Sequence, residues 1–212
     1  MAKLILQLIG PTIMILIGLI VLKNVPITFG LFYGWLAVFS FYHHKKKPSP
    51  KWGSTQKSVL LGIISGLLCL ISIYGSVYLL QESVFDLSEL KELLVEWNFT
   101  GSMVIWLVLF LIFINPILEE LYWRDYMFGK LVSKVGAGKS ITITAFFYSL
   151  YHLLSVYFLF SFPFNFIAVV AVFIAGIMWG YFRFKTNSIV APIFSHAIAD
   201  LGIMLVYLHF VM

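Results

Sequence analysis

Charge is scarce in this chain. Only 11% of its 212 residues are Asp, Glu, Lys or Arg, where an ordinary soluble domain carries about a quarter. A soluble protein of this size could not cover its surface with so few charges. Cysteine is nearly absent: Cys69 stands alone in an apolar run, which excludes an internal disulfide framework and leaves packing as its reading. No tandem repeat or low-complexity tract interrupts the sequence. Secreted disulfide scaffolds, disordered chains and soluble nucleic-acid binders are therefore set aside. What is present in excess is apolar: 61% of residues are hydrophobic and the mean hydropathy is +1.00. Several apolar runs reach about 18–20 residues, the length of a helix that spans a bilayer. The composition predicts an all-α, polytopic bundle of transmembrane helices in the cell membrane.

Hydropathy gives seven candidate spans, at about 4–22, 26–43, 58–80, 103–122, 140–160, 165–183 and 188–210. The first exceeds the 7–15-residue apolar core of a signal peptide, and no small-x-small cleavage site follows it, so it reads as an uncleaved span. The net charge of +5 is explained by loop lysines that set topology, not by nucleic acid. His43, His44, Lys45, Lys46, Lys47, Lys51 and Lys57 crowd the connection after the second span, which places it on the cytoplasmic side. Counting outward predicts a cytoplasmic N-terminus and an external C-terminus. Lys130, Lys134 and Lys139 then fall in the next cytoplasmic connection, and Arg183 and Lys185 in the one after. The external connection 81–102 holds Glu82, Asp86, Glu89, Glu92 and Glu96. Within it Asp86 is suited to N-cap a short amphipathic helix whose apolar side is Leu87, Leu90, Leu94 and Trp97. Gly62-x-x-x-Gly66 and Gly176-x-x-x-Gly180 read as close helix contacts.

A charge at membrane depth costs roughly 2.5–3.5 kcal/mol on insertion scales, so each one needs a reason. Outside the external connection the acidic residues are Glu119, Glu120, Asp125 and Asp200, and the histidines inside spans are His152 and His196. At about 1.5 Å of rise per residue, His152 lies roughly 20 Å from Lys139, His196 roughly 16 Å from Lys185, and Glu119 roughly 22 Å from Lys134. Three spans thus bring a polar residue to a similar level. Pro116 is expected to kink the helix just before the carboxylates. Glu120 and Arg124 are four residues apart and can pair along one face. Glu119, about 100° round the helix, is left without a local partner and suits a general base or acid. His196 and Asp200 are also four apart, so the carboxylate can orient the imidazole. A Glu–Arg pair can merely hold helices together, and buried histidines can bond to backbone. The combination across three spans favours chemistry. Ser195 adjoins His196, but adjacent helical residues diverge by about 100°, which argues against a serine nucleophile.

Glu119-Glu120-x-x-x-Arg124, Tyr148-x-x-x-His152 and His196-x-x-x-Asp200 resemble the motifs of the CPBP (Abi) family of intramembrane proteases. That family includes CAAX prenyl endopeptidases and bacteriocin-processing or bacteriocin-immunity proteins. The stretch Asn187–His196 resembles the approach to the family's last motif. The likeness spans about 103–210, which divides the chain into N-terminal spans at 1–102 and a catalytic core at 103–212. Two departures stand out: Tyr148 where the family usually has Phe, and Asp200 where it often has Asn. An amide can donate to an oxyanion, whereas an ionised Asp accepts only. Asp200 therefore fits orientation of His196, or metal ligation.

The resemblance implies hydrolysis of a peptide bond in or at the membrane, with catalytic residues Glu119, Glu120, Arg124, His152, His196 and Asp200. In a glutamate-protease version Glu119 and His152 activate water, His196 meets the oxyanion, and Glu120 and Arg124 hold the local architecture. In a metalloprotease version Glu119, His152 and His196 would bind zinc. The local zinc signature His-Glu-x-x-His is missing, and the carboxylate version explains the same residues without a cofactor. The implied partners are membrane lipid and a peptide, prenylated or leader-bearing protein substrate; oligomeric state stays open. A non-catalytic immunity or scaffold protein on the same fold is the alternative. An ion-coupled transporter is weaker, since no inverted repeat is evident.

Overall fold

The computed structural model describes residues 2–46 and 55–212. Residues 47–54, with Lys47, Pro48, Pro50 and Lys51 of the lysine-rich connection, lie outside the described residues, as do the side chains of 43–46. The described chain is all helical. α1 (Ala2–Ile15) continues as a π-helical turn, and α2 (Val25–Lys46) and α3 (Gln56–Val84) follow. α4 (Leu87–Glu96) is a short helix; then come α5 (Met103–Phe113), α6 (Asn115–Glu120) and a π-helical segment Leu121–Met127. α7 (Phe128–Val135), α8 (Ala137–Leu159), α9 (Phe164–Thr186) and α10 (Val190–Val206) complete the bundle.

Six helices are long and apolar enough to cross a membrane, and the bent pair 103–113 and 115–135 makes a seventh if it crosses once. The fourth span is therefore not the single helix expected over 103–122. It breaks by 41° after Phe113 and continues to Val135. Pro116 explains the break: it cannot donate to the carbonyl one turn back, and it suits the first turn of a new helix. The outer surface is apolar, as lipid requires. Leu79, Trp106, Ile71 and Phe162 stand 60% or more exposed, which a soluble chain would not tolerate as a continuous surface.

Packing inside relies on small residues and aromatics. A Cβ on Gly62 would come within 2.7 Å of the Ala191 carbonyl, and one on Gly66 within 2.8 Å of Ile198 Cβ. These two glycines let α3 lie directly against α10, the helix that carries His196 and Asp200. Gly176 and Gly180 do the same for α9 against Ala145 and Ile141 of α8. At the centre Phe32, Tyr33, Tyr122, Trp123, Tyr148, Tyr151 and Trp179 form one buried aromatic cluster. Most of its rings meet at edges or tilted, as with Tyr148 and Trp179 (5.8 Å, 82°), the arrangement ring quadrupoles favour, while Trp123 and Tyr151 lie near-parallel (6.2 Å, 18°). The short helix α4 forms where the sequence predicts one. Asp86 accepts hydrogen bonds from the Ser88 and Glu89 amides, and Leu90 and Trp97 are buried, whereas Leu87 is exposed.

Candidate active site

Glu119 and Glu120 close the last turn of α6, immediately before the π-helical segment. A π-helical turn widens the helix and recurs at functional positions. Both glutamates are buried, with 2% and 0% of their surface exposed, and their surroundings differ. Glu120 Oε1 lies 3.1 Å from Arg124 NH1 and 3.0 Å from His196 Nδ1. Glu119 Oε2 takes no hydrogen bond among the described residues and lies 3.6 Å from His196 Nε2. Glu120 thus has a cation on its own helix and Glu119 does not, although the second oxygen of Glu120 is likewise without a hydrogen bond among the described residues.

His196 sits on α10 at the meeting point. Trp179 of α9 stacks on its ring (4.3 Å, 15°), which fixes the imidazole plane. Nδ1 must carry its hydrogen towards the Glu120 carboxylate, because an ionised carboxylate only accepts. Nε2 then faces the Tyr148 hydroxyl at 3.4 Å, Asp200 Oδ2 at 3.5 Å and the open Glu119 oxygen. The pairing of His196 with Asp200 is there, but Glu120 makes the shorter contact and holds the other nitrogen. The sequence spacing pointed to Asp200 as the orienting group because four residues apart on one helix is visible in one dimension. The contact from α6 to α10 is not.

Arg124 is enclosed by more than its carboxylate. Its guanidinium lies over the Tyr148 ring (4.6 Å) and near Trp179 (5.2 Å), and NH2 donates to the Gly176 carbonyl at 3.3 Å. Aromatic faces and a backbone oxygen thus replace the water a buried cation loses.

His152 makes its hydrogen bond within its own helix: Nδ1 donates to the Tyr148 carbonyl at 2.8 Å. Its ring lies against Tyr151 (4.4 Å) and Tyr148 (4.6 Å). Tyr151 brings its phenol beside the Glu119 carboxylate. The zinc set Glu119, His152 and His196 is not brought together: among the described residues no three His, Cys, Asp or Glu side chains are grouped to hold a metal ion.

The sequence reasoning missed several residues. Asn115 donates to Asp200 Oδ2 at 2.8 Å, and Tyr33 of α2 donates to Asn115 Oδ1 at 2.9 Å. Trp179 was visible only as apolar bulk, and Tyr148 only as the aromatic that opens its motif. A polar Asn directly before Pro116 in an otherwise apolar run was the one available signal. Ser195 is no nucleophile candidate in this arrangement. Its buried Oγ accepts from Trp179 Nε1 at 2.9 Å and lies 3.0 Å from Ser65 Oγ.

Residues 101–202 match the family model for type II CAAX prenyl endopeptidase, Rce1-like. The match covers an Rce1-like domain over just under half of the chain, in keeping with the resemblance to the CPBP family. That domain runs from just before α5 into α10 and contains Glu119, Glu120, Arg124, Tyr148, His152, His196 and Asp200. Tyr33 lies outside it. No curated protein and no solved structure matches the chain.

Proposed function

We propose that this protein is an intramembrane endopeptidase that hydrolyses a peptide bond of a membrane-associated or prenylated peptide through water activated by Glu119. The observation that carries the reading is Glu119 itself. It is a buried carboxylate inside an apolar bundle, with a free oxygen 3.6 Å from His196 Nε2. A buried acceptor without a donor costs about 1–3 kcal/mol, and Glu119, unlike Glu120, has no arginine beside it to offset that cost.

Each residue then has a task. Glu119 takes a proton from water as the water oxygen bonds to the scissile carbonyl carbon. His152, whose Nδ1 is tied to backbone, has Nε2 as an acceptor for the same water. Electrons from the carbonyl double bond move to its oxygen. That oxyanion is met by His196 Nε2 when this nitrogen is protonated, and by the Tyr148 hydroxyl, a donor that Phe at this position would lack. Collapse of the intermediate breaks the C–N bond, and Glu119 passes its proton to the leaving amine. Glu120 and Arg124 hold His196 in register throughout, and Asp200 flanks its reacting nitrogen.

The same reading includes the division at residue 102 and the orientation in the cell membrane. With the bent pair taken as one crossing, the lysine-rich connections face the cytoplasm and the C-terminus lies outside.

The test is cleavage of a reporter peptide ending in a prenylated CAAX sequence by the protein in liposomes. Glu119→Ala and His196→Ala should each abolish cleavage while the protein stays folded and inserted. Wild-type cleavage in either variant overturns the proposal, and a biological phenotype that survives both would favour the non-catalytic scaffold.

A further inference from the structure

We propose that Tyr33 and Asn115 are positioning residues for this reaction, holding Asp200 against His196, so that α2 is part of the catalytic apparatus. The inference rests on the protease reading above. It starts from a chemical limitation of Asp200: an ionised carboxylate can accept hydrogen bonds and can donate none. Asp200 Oδ2, which lies 3.5 Å from His196 Nε2, accepts from Asn115 Nδ2 at 2.8 Å. The amide that Asp200 lacks is thus supplied from α6.

An amide has two ends, and the wrong one would face carboxylate oxygen with carbonyl oxygen. The acceptor-only carboxylate takes the Nδ2 end, and Tyr33 holds the other end in place. Its hydroxyl donates to Asn115 Oδ1 at 2.9 Å, which leaves Nδ2 as the end that points at Asp200. Tyr33 and Asn115 are 8% and 6% exposed, so water is poorly placed to take over either bond. The two groups are also fixed from behind. The Tyr33 ring packs on Phe29 (5.3 Å), Phe32 (4.9 Å) and Phe110 (4.7 Å), and Asn115 stands at the break that Pro116 imposes between α5 and α6. Removing only the Tyr33 hydroxyl therefore leaves the packing in place and frees the amide to turn. Tyr33 lies well before the matched segment 101–202.

The pair can be tested by subtraction and by exchange. Tyr33→Phe should lower kcat on the prenylated reporter about 5–20-fold with KM within about 2-fold, the pattern of a group acting on the transition state. Asn115→Asp sets two carboxylates face to face and should lose about 100-fold or more. The exchange Asn115→Asp with Asp200→Asn restores one donor and one acceptor, with the Tyr33 hydroxyl still bonded to an acceptor. It should recover at least about 10-fold over Asn115→Asp alone. Ring 15N NMR signals of His196 should shift in Tyr33→Phe, which a purely structural hydroxyl would not cause.

Unchanged kcat and unchanged His196 signals in Tyr33→Phe overturn the proposal, as does an exchange variant no more active than Asn115→Asp. If the wild-type protein does not cleave the reporter, the protease reading fails on its own. The His196 signals then still decide whether the relay acts on that ring.

Discussion

Glu120 Oε1 lies 3.0 Å from His196 Nδ1, so one of two adjacent glutamates grips the histidine that the other faces. The neighbours in sequence have opposite duties. Glu120 belongs to a buried chain Arg124–Glu120–His196 in which every bond crosses between or along helices. Glu119 meets that chain only at the far nitrogen of His196, at 3.6 Å.

That contrast gives the first prediction. Glu119→Gln should lower kcat by about 100- to 10,000-fold, the range for a lost general base, and should leave the thermal midpoint in detergent equal or higher. Glu120→Gln strands Arg124 inside the bundle and should cost about 3–5 kcal/mol of stability. Parallel melting curves and reporter kinetics separate the two. Equal destabilisation by both substitutions would contradict the division of roles.

Arg124 should not be replaceable by lysine. Its planar guanidinium lies over Tyr148 while reaching both Glu120 and the Gly176 carbonyl, and an ammonium cannot make that fork and stack together. Arg124→Lys is expected to cost about 1–3 kcal/mol, reflecting lost stacking and one lost buried hydrogen bond. A melting midpoint at the wild-type value would show that charge alone suffices.

The small-residue seam between α3 and α10 sets the position of the site from a distance. A Cβ at Gly62 meets a backbone carbonyl at 2.7 Å, and backbone cannot rotate away as a side-chain tip can. Gly62→Ala should therefore cost about 1–3 kcal/mol and lower kcat as well, because α10 must shift and carries His196 with it. At Gly176 the nearest atom is the Ala145 Cβ at 3.0 Å, so Gly176→Ala should be milder. Reversal of that order would mean that the seam does not position α10.

Asp86 gives a pH effect outside the membrane. The Ser88 hydroxyl and the Ser88 and Glu89 amides hold its carboxyl below the ordinary aspartate range. A carboxyl lowered in the folded state stabilises when ionised. Its contribution is complete above the ordinary aspartate pKa and is lost as pH falls below that value through the lowered one. Amide exchange at Ser88 and Glu89 should accelerate over that acid window in the wild type, and Asp86→Ala should show fast exchange already at neutral pH. Exchange in the variant as slow as in the wild type at neutral pH would remove the cap from the account.

Much of this protein is written in one dimension because the membrane enforces it. A bilayer demands long apolar helices with internally bonded backbone, so the all-helical bundle and most of its spans are readable from hydropathy. Local spacings are equally legible: Glu120 with Arg124, Asp86 with Ser88 and Glu89, and Pro116 ahead of a break all involve residues within one or two turns. The sequence also singled out the polar residues at depth, since each is expensive there. What it could not supply is which helix faces which. Gln7 donates to Tyr126, Tyr33 to Asn115, and Glu120 meets His196, and each contact joins spans far apart in the chain. Rotation of each helix about its axis is decided by small-residue seams and aromatic packing, not by hydropathy. The sequence by itself therefore determined that carboxylates and histidines would lie within the membrane. Only the tertiary structure decided that Glu120, not Asp200, makes the shorter contact with His196, and that Tyr33 reaches the site, because those contacts depend on the packed angles of three separate helices.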